Sequence, residues 1–177
     1  MVILITGASH TGKTLLAQRL LEAKKYPYLS IDHLKMGLIR SGRTDLTPED
    51  DEALTDYLWP IVREMVKTAV ENRQDLIVEG CYIPARWRRD FDPAYLEEIR
   101  FLCLAMTEAY VDAHMEDVLA HGSEIERRLY PDVTAEELKR ENRAYVEGCR
   151  EAGEPVVLID GDYEEAISAL PLWTELP

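Results

Sequence analysis

The sequence Val2-Ile3-Leu4-Ile5-Thr6-Gly7-Ala8-Ser9-His10-Thr11-Gly12-Lys13-Thr14 decides the fold of this chain. An apolar run leads into a loop bounded by Gly7 and Gly12, and a segment with helical spacing follows. The loop has the pattern G-x-x-x-x-G-K-T, in which the two glycines adopt backbone conformations that a β-carbon would block. Its amide groups, the start of the following helix and the Lys13 ammonium all favour a bound anion. We therefore predict a site for the phosphates of a nucleotide.

Every residue of this loop is assigned to nucleotide binding: Gly7, Ala8, Ser9, His10, Thr11, Gly12, Lys13 and Thr14. Lys13 is expected to bridge the β- and γ-phosphates and to act in catalysis, and the Thr14 hydroxyl to bind Mg²⁺. The alternative is an ordinary glycine turn that caps a helix. The strand before the loop and the helix after it favour the phosphate site.

The composition limits the classes of protein to which the chain can belong. Its 177 residues, 46% of them hydrophobic, are enough for one core, so we expect a single domain, residues 1–177. A net charge of −14 argues against a nucleic-acid partner, because nucleic-acid backbones are bound by basic surfaces. No apolar run approaches membrane-spanning length, so we expect no membrane partner. No export signal precedes the first strand and the three cysteines have no metal-ligand spacing, which predicts a cytoplasmic protein.

Strands and helices alternate along the chain. The apolar runs predict strands over residues 2–6, 26–31, 75–80, 99–105 and 155–160. This alternation is typical of an α/β fold with a parallel sheet, helices on both faces and a site at the carboxyl ends of the strands. Residues 1–35, 73–121 and 153–170 are predicted to form the core. Residues 36–72 form an acceptor-binding helical region, in which Pro60 should kink or split a helix, and residues 122–145 form a lid.

Two carboxylates at predicted strand ends are candidates for the chemistry. Asp32 follows the second strand, where it could accept or orient the proton of an acceptor hydroxyl, as a catalytic and acceptor-binding residue. The alternative is that Asp32 is a helix N-cap. Glu79 ends an aliphatic run, as the acid of a Walker B motif does, and could hold Mg²⁺ through water or orient the attacking group. The alternative is a solvated acid at the end of a strand.

Arginines could supply the positive charge that phosphoryl transfer requires. Arg127 and Arg128 lie in an irregular segment and could close over the triphosphate as catalytic residues. Four further arginines could grip an anionic acceptor or join that lid: Arg40, Arg86, Arg140 and Arg143. Each could instead be an ordinary solvated arginine. The acidic run over residues 45–56 is explained by a solvated helix start, or by a cationic acceptor such as an amine-bearing sugar.

At these residues the chain resembles the P-loop kinases of the nucleoside-monophosphate-kinase-like group. Residues 28–38 look like the strand-Asp-helix segment of adenylylsulfate kinases and zeta toxins, and residues 76–84 are similar to zeta toxins and P-loop 2-phosphoglycerate kinases. The resemblance implies an adenylate-kinase-like, three-layer P-loop NTPase fold with strand order 2-3-1-4-5 and a small lid, ATP and Mg²⁺ as cofactors, and contact between Asp32 and the acceptor hydroxyl. It also implies that Gly161 and Asp162 lie near the adenine. The absence of an arginine after Pro84 departs from adenylate kinases and argues against a nucleoside monophosphate acceptor.

The function that follows is transfer of the γ-phosphoryl group of ATP to a hydroxyl or phosphate of a small metabolite. A regulatory nucleotide-binding ATPase and a zeta-toxin-like kinase acting on a nucleotide sugar stay open as alternatives. A GTPase is disfavoured, because the sequence has no N-K-x-D string after a late strand. The sequence does not indicate the oligomeric state.

Overall fold

A computed structural model describes residues 1–121 and 133–170. Within these ranges the chain forms a five-stranded parallel sheet of order β2-β3-β1-β4-β5, which confirms the predicted fold and strand order. The strands are β1 (Val2–Gly7), β2 (Tyr28–Ser30), β3 (Leu76–Glu79), β4 (Ile99–Met106) and β5 (Val156–Ile159). This order places the carboxyl ends of β1, β2 and β3 side by side, where a parallel α/β sheet binds its ligands.

Helices connect the strands as crossover segments. They are α1 (Lys13–Lys24), α2 (Ile31–Arg40), α3 (Asp51–Glu71), α4 (Pro93–Leu96), α5 (Glu108–His121), α6 (Ala135–Ala152) and α7 (Tyr163–Ser168). A 3₁₀ turn, Trp87–Asp90, precedes α4. None of the helices in the described residues is long and apolar enough to cross a bilayer.

Strand β1 is the centre of the sheet, and every one of its residues is buried. It pairs with β3 on one side, where Ile5 is opposite Glu79, and with β4 on the other, where Gly7 is opposite Leu104. Strands buried on both faces are nearly continuously apolar, which is why the run that begins at Val2 was recognisable in the sequence. This register brings Glu79 to the same edge as the loop that leaves β1.

The two faces of the sheet pack against different helices. On one face, α3 contributes Leu54, Leu58 and Val62 to a core that also contains Trp87 and Phe91. On the other face, Leu16 and Leu20 of α1 and Ile167 of α7 cover Ile3 and Ile5. The helix that follows the phosphate loop is therefore held rigidly beneath the sheet.

Pro60 does not split its helix in two. Helix α3 is continuous from Asp51 to Glu71, with Pro60 inside it. Pro60 is exposed, whereas Leu58, Trp59 and Val62 beside it are buried. The packing of these side chains against the core compensates for the backbone hydrogen bond that the proline cannot donate.

Part of the predicted lid forms a packed helix. Residues 135–145 are the first half of α6, which is fixed to β4 because the Asn142 side chain accepts a hydrogen bond from the Met106 amide at 2.7 Å. Asn142 and Leu138 are buried in that interface. Arg127 and Arg128, the two predicted lid arginines, lie outside the described residues.

The first turn of α6 is a capping box. The Thr134 hydroxyl accepts from the Glu137 amide at 3.2 Å, and the Glu137 carboxylate accepts from the Thr134 amide at 2.9 Å. These two bonds satisfy amides that the helix itself leaves without acceptors. We expect Thr134→Ala to lower the free energy of unfolding by about 1 kcal/mol, measured by urea denaturation.

The control for that substitution is Thr68→Ala in the middle of α3. Thr68 is exposed, and its hydroxyl donates to the Glu64 carbonyl one turn earlier. Because alanine is the better helix former, this variant should keep or slightly exceed the stability of the parent protein. Equal effects of the two substitutions would contradict the capping role of Thr134.

Candidate active site

A large open cleft lies at the carboxyl ends of β1, β2 and β3. Its volume is about 1400 Å³, and the phosphate loop forms its floor. Side chains from α2, α3, α6, α7 and the segment after β3 form its walls, among them Asp32, Lys35, Asp51, Tyr82, Glu141 and Tyr163. The cleft therefore brings together residues that are far apart in sequence around one predicted nucleotide site.

The phosphate loop has the backbone conformation that its sequence predicts. His10 and Gly12 have φ angles of 63° and 78°, in the left-handed region, and Gly7 has a φ angle of 139°. A β-carbon at Gly7 would lie 2.0 Å from the Leu104 carbonyl oxygen of β4, so only glycine fits there. The Lys13 ammonium donates to the Ala8 carbonyl at 2.6 Å, which holds this charge within the loop.

Thr14 and Glu79 provide oxygen ligands suited to Mg²⁺. The Thr14 hydroxyl donates to a Glu79 carboxylate oxygen at 3.2 Å, and Glu79 is 1% exposed at the end of β3. A hydroxyl and a carboxylate fit a hard cation that takes its other ligands from phosphate and water. Among residues 1–121 and 133–170 there is no group of three or more His, Cys, Asp or Glu side chains that could hold a metal by itself. The arrangement fits a magnesium site that is completed by a nucleotide.

Asp32 lies in the first turn of α2 and faces the same cleft. The residue at the N-cap position is Ser30, so the alternative in which Asp32 caps the helix is wrong. One oxygen of Asp32, Oδ1, lies 2.6 Å from the Lys35 ammonium one helical turn away. The Asp32 side chain is 37% exposed and therefore accessible from the cleft.

Lys35 belongs to a chain of hydrogen-bonded polar side chains along the wall of the cleft. Its ammonium also donates to the Tyr82 hydroxyl at 2.8 Å, and that hydroxyl donates to Asp51 at 3.2 Å. Burial, followed by the charges of Asp32 and Asp51, raises the pKa of Tyr82. Tyr82 therefore keeps its proton and can act as a donor in this chain.

Glu141 of α6 contacts the phosphate loop directly. Its carboxylate accepts from the Ser9 amide at 2.9 Å and from the Ser9 hydroxyl at 3.2 Å. Tyr145, one turn further along α6, donates its hydroxyl to the Cys81 carbonyl. Helix α6 therefore carries a negative charge to a loop whose other features favour anions.

Cys81 lies at the bottom of the cleft but is a poor nucleophile. Burial raises the pKa of its thiol, and the neighbouring Lys13 ammonium opposes that effect only in part. A thiol that stays protonated reacts slowly.

The predicted arginines are dispersed. Arg40 lines the cleft from the last turn of α2. Arg86 lies outside the cleft lining, 4.0 Å from Glu151, and Arg143 is paired with Glu108 on the far side of α6. Arg140 is exposed on α6 and is also absent from the lining. Of these four arginines, Arg40 is the one that lines the cleft, and the acceptor-binding role of all four stays a prediction.

The residues after β5 lie beside the phosphate loop. Asp162 accepts from the Glu165 amide at 2.9 Å and so caps α7, while Tyr163 donates to the Gly12 carbonyl at 3.0 Å and lines the cleft. The Arg19 guanidinium lies 5.9 Å from the centre of the Tyr163 ring. Contact of Gly161 and Asp162 with the adenine stays a prediction, and Tyr163 joins them as a candidate.

Sequence reasoning missed several residues of the cleft: Lys35, Asp51, Tyr82, Glu141, Tyr145 and Tyr163. The contact of Lys35 with Asp32 could have been predicted from the sequence, because side chains at positions i and i+3 of a helix are neighbours. The contact of Glu141 with Ser9 could not, because it spans 132 positions of sequence.

The comparisons with known proteins agree with this architecture. No family model and no curated protein matches the chain. Among solved structures, an unliganded sugar kinase from Janibacter sp. HTCC2649 is similar, with a TM-score of 0.57 and 17% identity over 97% of this chain and 92% of that one. Shikimate kinase from Aquifex aeolicus has a TM-score of 0.53 and 16% identity, over 99% and 96% of the two chains. The fold is that of P-loop kinases.

The contact between Glu141 and Ser9 generates a prediction about nucleotide affinity. Glu141→Gln keeps an oxygen that can accept from Ser9 but removes a negative charge beside the phosphate loop. We expect the variant to bind ATP about two- to tenfold more tightly in isothermal titration calorimetry, because repulsion between the carboxylate and the phosphates is lost.

The control is Glu147→Gln, an exposed glutamate on α6 outside the cleft lining. This variant should bind ATP as the parent protein does, since its charge is remote from the loop and screened by salt. Unchanged or weaker binding by the Glu141 variant would show that its carboxylate does not oppose the phosphates.

Proposed function

We propose that this protein is an ATP- and Mg²⁺-dependent kinase that transfers the γ-phosphoryl group to a hydroxyl or phosphate of a small metabolite. The observation that carries the proposal is one cleft with three components: the phosphate loop, the Thr14–Glu79 oxygen pair and the Asp32 carboxylate. A nucleotide-binding regulator needs the first two components. The third has a use when a second substrate supplies a hydroxyl beside the phosphates.

The roles follow from the positions of these groups. The loop amides and Lys13 would bind the phosphates, while Thr14 and Glu79 would hold Mg²⁺, which neutralises charge on the phosphate oxygens. Asp32 would orient the acceptor hydroxyl and take its proton as the acceptor oxygen forms a bond to the γ-phosphorus. The bond from that phosphorus to the β–γ bridging oxygen breaks, and ADP leaves with the electron pair.

Lys13 is the first residue to test. Lys13→Ala should weaken ATP binding and lower phosphoryl transfer by at least about 10²-fold, because a charge aimed at the transferring group is lost from a largely buried position. Lys67→Ala, near the end of α3 and outside the cleft lining, is the control and should retain both properties. Normal turnover by the Lys13 variant would refute the assignment of the phosphate site.

Asp32 is tested by acceptor-dependent ADP release from Mg²⁺-ATP, measured with a panel of polyols, sugars, hydroxy acids, amino sugars, nucleotide sugars and nucleoside monophosphates. Asp32→Asn should lower turnover with the active acceptor by about 10²–10⁴-fold and leave ATP affinity nearly unchanged. Asp56→Asn is the control, since Asp56 is exposed on α3 outside the cleft lining.

The acceptor panel also separates the two main functions. Acceptor-dependent ADP release that Asp32→Asn abolishes would establish the kinase and the class of its substrate. ATP binding with no acceptor-dependent turnover across the panel would instead favour a regulatory ATPase. Activity confined to a nucleotide sugar would favour the zeta-toxin-like alternative.

A further inference from the structure

We propose that Lys35 is a positioning residue that holds the Asp32 carboxylate in its working orientation, with Tyr82 and Asp51 as its support. The proposal rests on the kinase function above and adds a residue that no motif in the sequence assigns. It begins from the position of Lys35, whose side chain is only 12% exposed although it lines an open cleft. A lysine side chain on an exposed surface moves freely, so a single ion pair there adds little stability. The Lys35 side chain is instead enclosed by the protein, which is unusual for a lysine.

The contacts of Lys35 define that geometry. Its ammonium is 2.6 Å from Asp32 Oδ1 and 2.8 Å from the Tyr82 hydroxyl, and it lies 5.0 Å from the centre of the Tyr82 ring. Since the ammonium occupies one acceptor position of Oδ1, the other carboxylate oxygen, Oδ2, has more acceptor capacity for an acceptor hydroxyl. Lys35 therefore favours the presentation of Oδ2 to the substrate.

Tyr82 and Asp51 make the arrangement rigid. Tyr82 is 4% exposed, and its hydroxyl receives from Lys35 and donates to Asp51 at 3.2 Å. Asp51 lies in the first turn of α3, whereas Tyr82 lies three residues after Glu79, at the end of β3. The polar chain thus connects Asp32 and Lys35 of α2 to the segment that follows β3, the strand that carries Glu79. Supporting groups of this kind orient functional side chains and are costly to remove.

The charges in this chain favour positioning over direct binding of an anion. The Lys35 ammonium is matched by Asp32 and shares Tyr82 with a second carboxylate, Asp51. Two of the three ammonium protons are engaged by Asp32 and Tyr82, and the charge is balanced by Asp32, so Lys35 attracts an acceptor anion less strongly than an unpaired lysine would. These contacts favour a positioning role for the ammonium.

The kinetic test is a double-mutant cycle with the active acceptor of the panel. Lys35→Met keeps the length of the side chain and removes the charge; it should lower kcat by about 10- to 100-fold and leave the KM for ATP unchanged. Lys35→Arg should recover part of this loss. Asp32→Asn combined with Lys35→Met should be no slower than Asp32→Asn alone, because the two residues act as one unit.

The matched control is Lys67→Met. Lys67 also pairs with an acid one turn away, Glu64 at 3.1 Å, and also lies over aromatic rings, those of Phe91 and Tyr95. Lys67 lies outside the cleft lining, so Lys67→Met should leave kcat unchanged. Its effect on the free energy of unfolding shows how much a partly buried lysine contributes to stability. Equal losses of kcat in the two methionine variants would overturn the positioning role.

A second readout does not depend on catalysis. In protein labelled with ¹⁵N-lysine, the ammonium signal of Lys35, assigned with Lys35→Met, should shift in Asp32→Asn and in Tyr82→Phe but not in Lys67→Met. A Lys35 signal unaffected by Asp32→Asn would overturn the proposal. The proposal would also be overturned if the rate losses of the two single variants multiplied in the double variant, since the two residues would then act independently. A raised KM for the acceptor with a normal kcat would overturn it as well, because Lys35 would then be a direct ligand of the substrate. If the wild-type protein transfers no phosphoryl group, the proposed function fails, and the ammonium signal still decides whether Lys35 holds Asp32.

Discussion

The close approach of Gly7 to β4 is the constraint on which the rest of the site depends. A β-carbon at this position would lie 2.0 Å from the Leu104 carbonyl oxygen, so the last residue of β1 can continue to pair with β4 only as glycine. The chain then leaves the sheet through left-handed residues, His10 and Gly12, and begins α1 at Lys13. Because β1 is buried in the centre of the sheet, this exit point is fixed relative to every neighbouring strand.

The fixed exit of β1 brings groups of opposite charge into one cleft. Strand β3 places Glu79 beside Thr14, and β2 leads directly into the helix that carries Asp32. Cations in the cleft are engaged by the protein itself, as Lys13 is by the Ala8 carbonyl and Lys35 by Asp32. Such engagement holds flexible side chains in place before any ligand arrives and so lowers the entropy lost on binding. Preorganised charges of this kind suit phosphoryl transfer, which relies on positioning and electrostatics.

The wall of the cleft around Asp32 contains few of the arginines that the sequence analysis singled out. Arg40 is part of the lining, whereas Arg86 and Arg143 form ion pairs elsewhere on the surface. The wall is instead built from alternating carboxylate, ammonium and hydroxyl groups that balance one another. An arginine in a sequence shows that a positive charge exists but not which way a long, flexible side chain points. For this reason the roles of the arginines stay predictions, those of Arg127 and Arg128 among them.

Local signals in the sequence predicted the strands of the sheet, the phosphate loop, and the positions of Asp32 just after β2 and of Glu79 at the end of β3. These signals are the apolar periodicity, the spacing of the glycines and the polar residues that follow apolar runs. The strand order came from the resemblance to P-loop kinases and was confirmed by the pairing of β1 with β3 and β4. Three features became visible in the three-dimensional structure: Glu141 contacts Ser9, Tyr82 joins Lys35 to Asp51, and α3 continues through Pro60. These features depend on contacts between segments up to 132 positions apart, and on packing that overrides a local preference. No local pattern records such contacts, since they arise only when separate elements bury their apolar faces against one sheet.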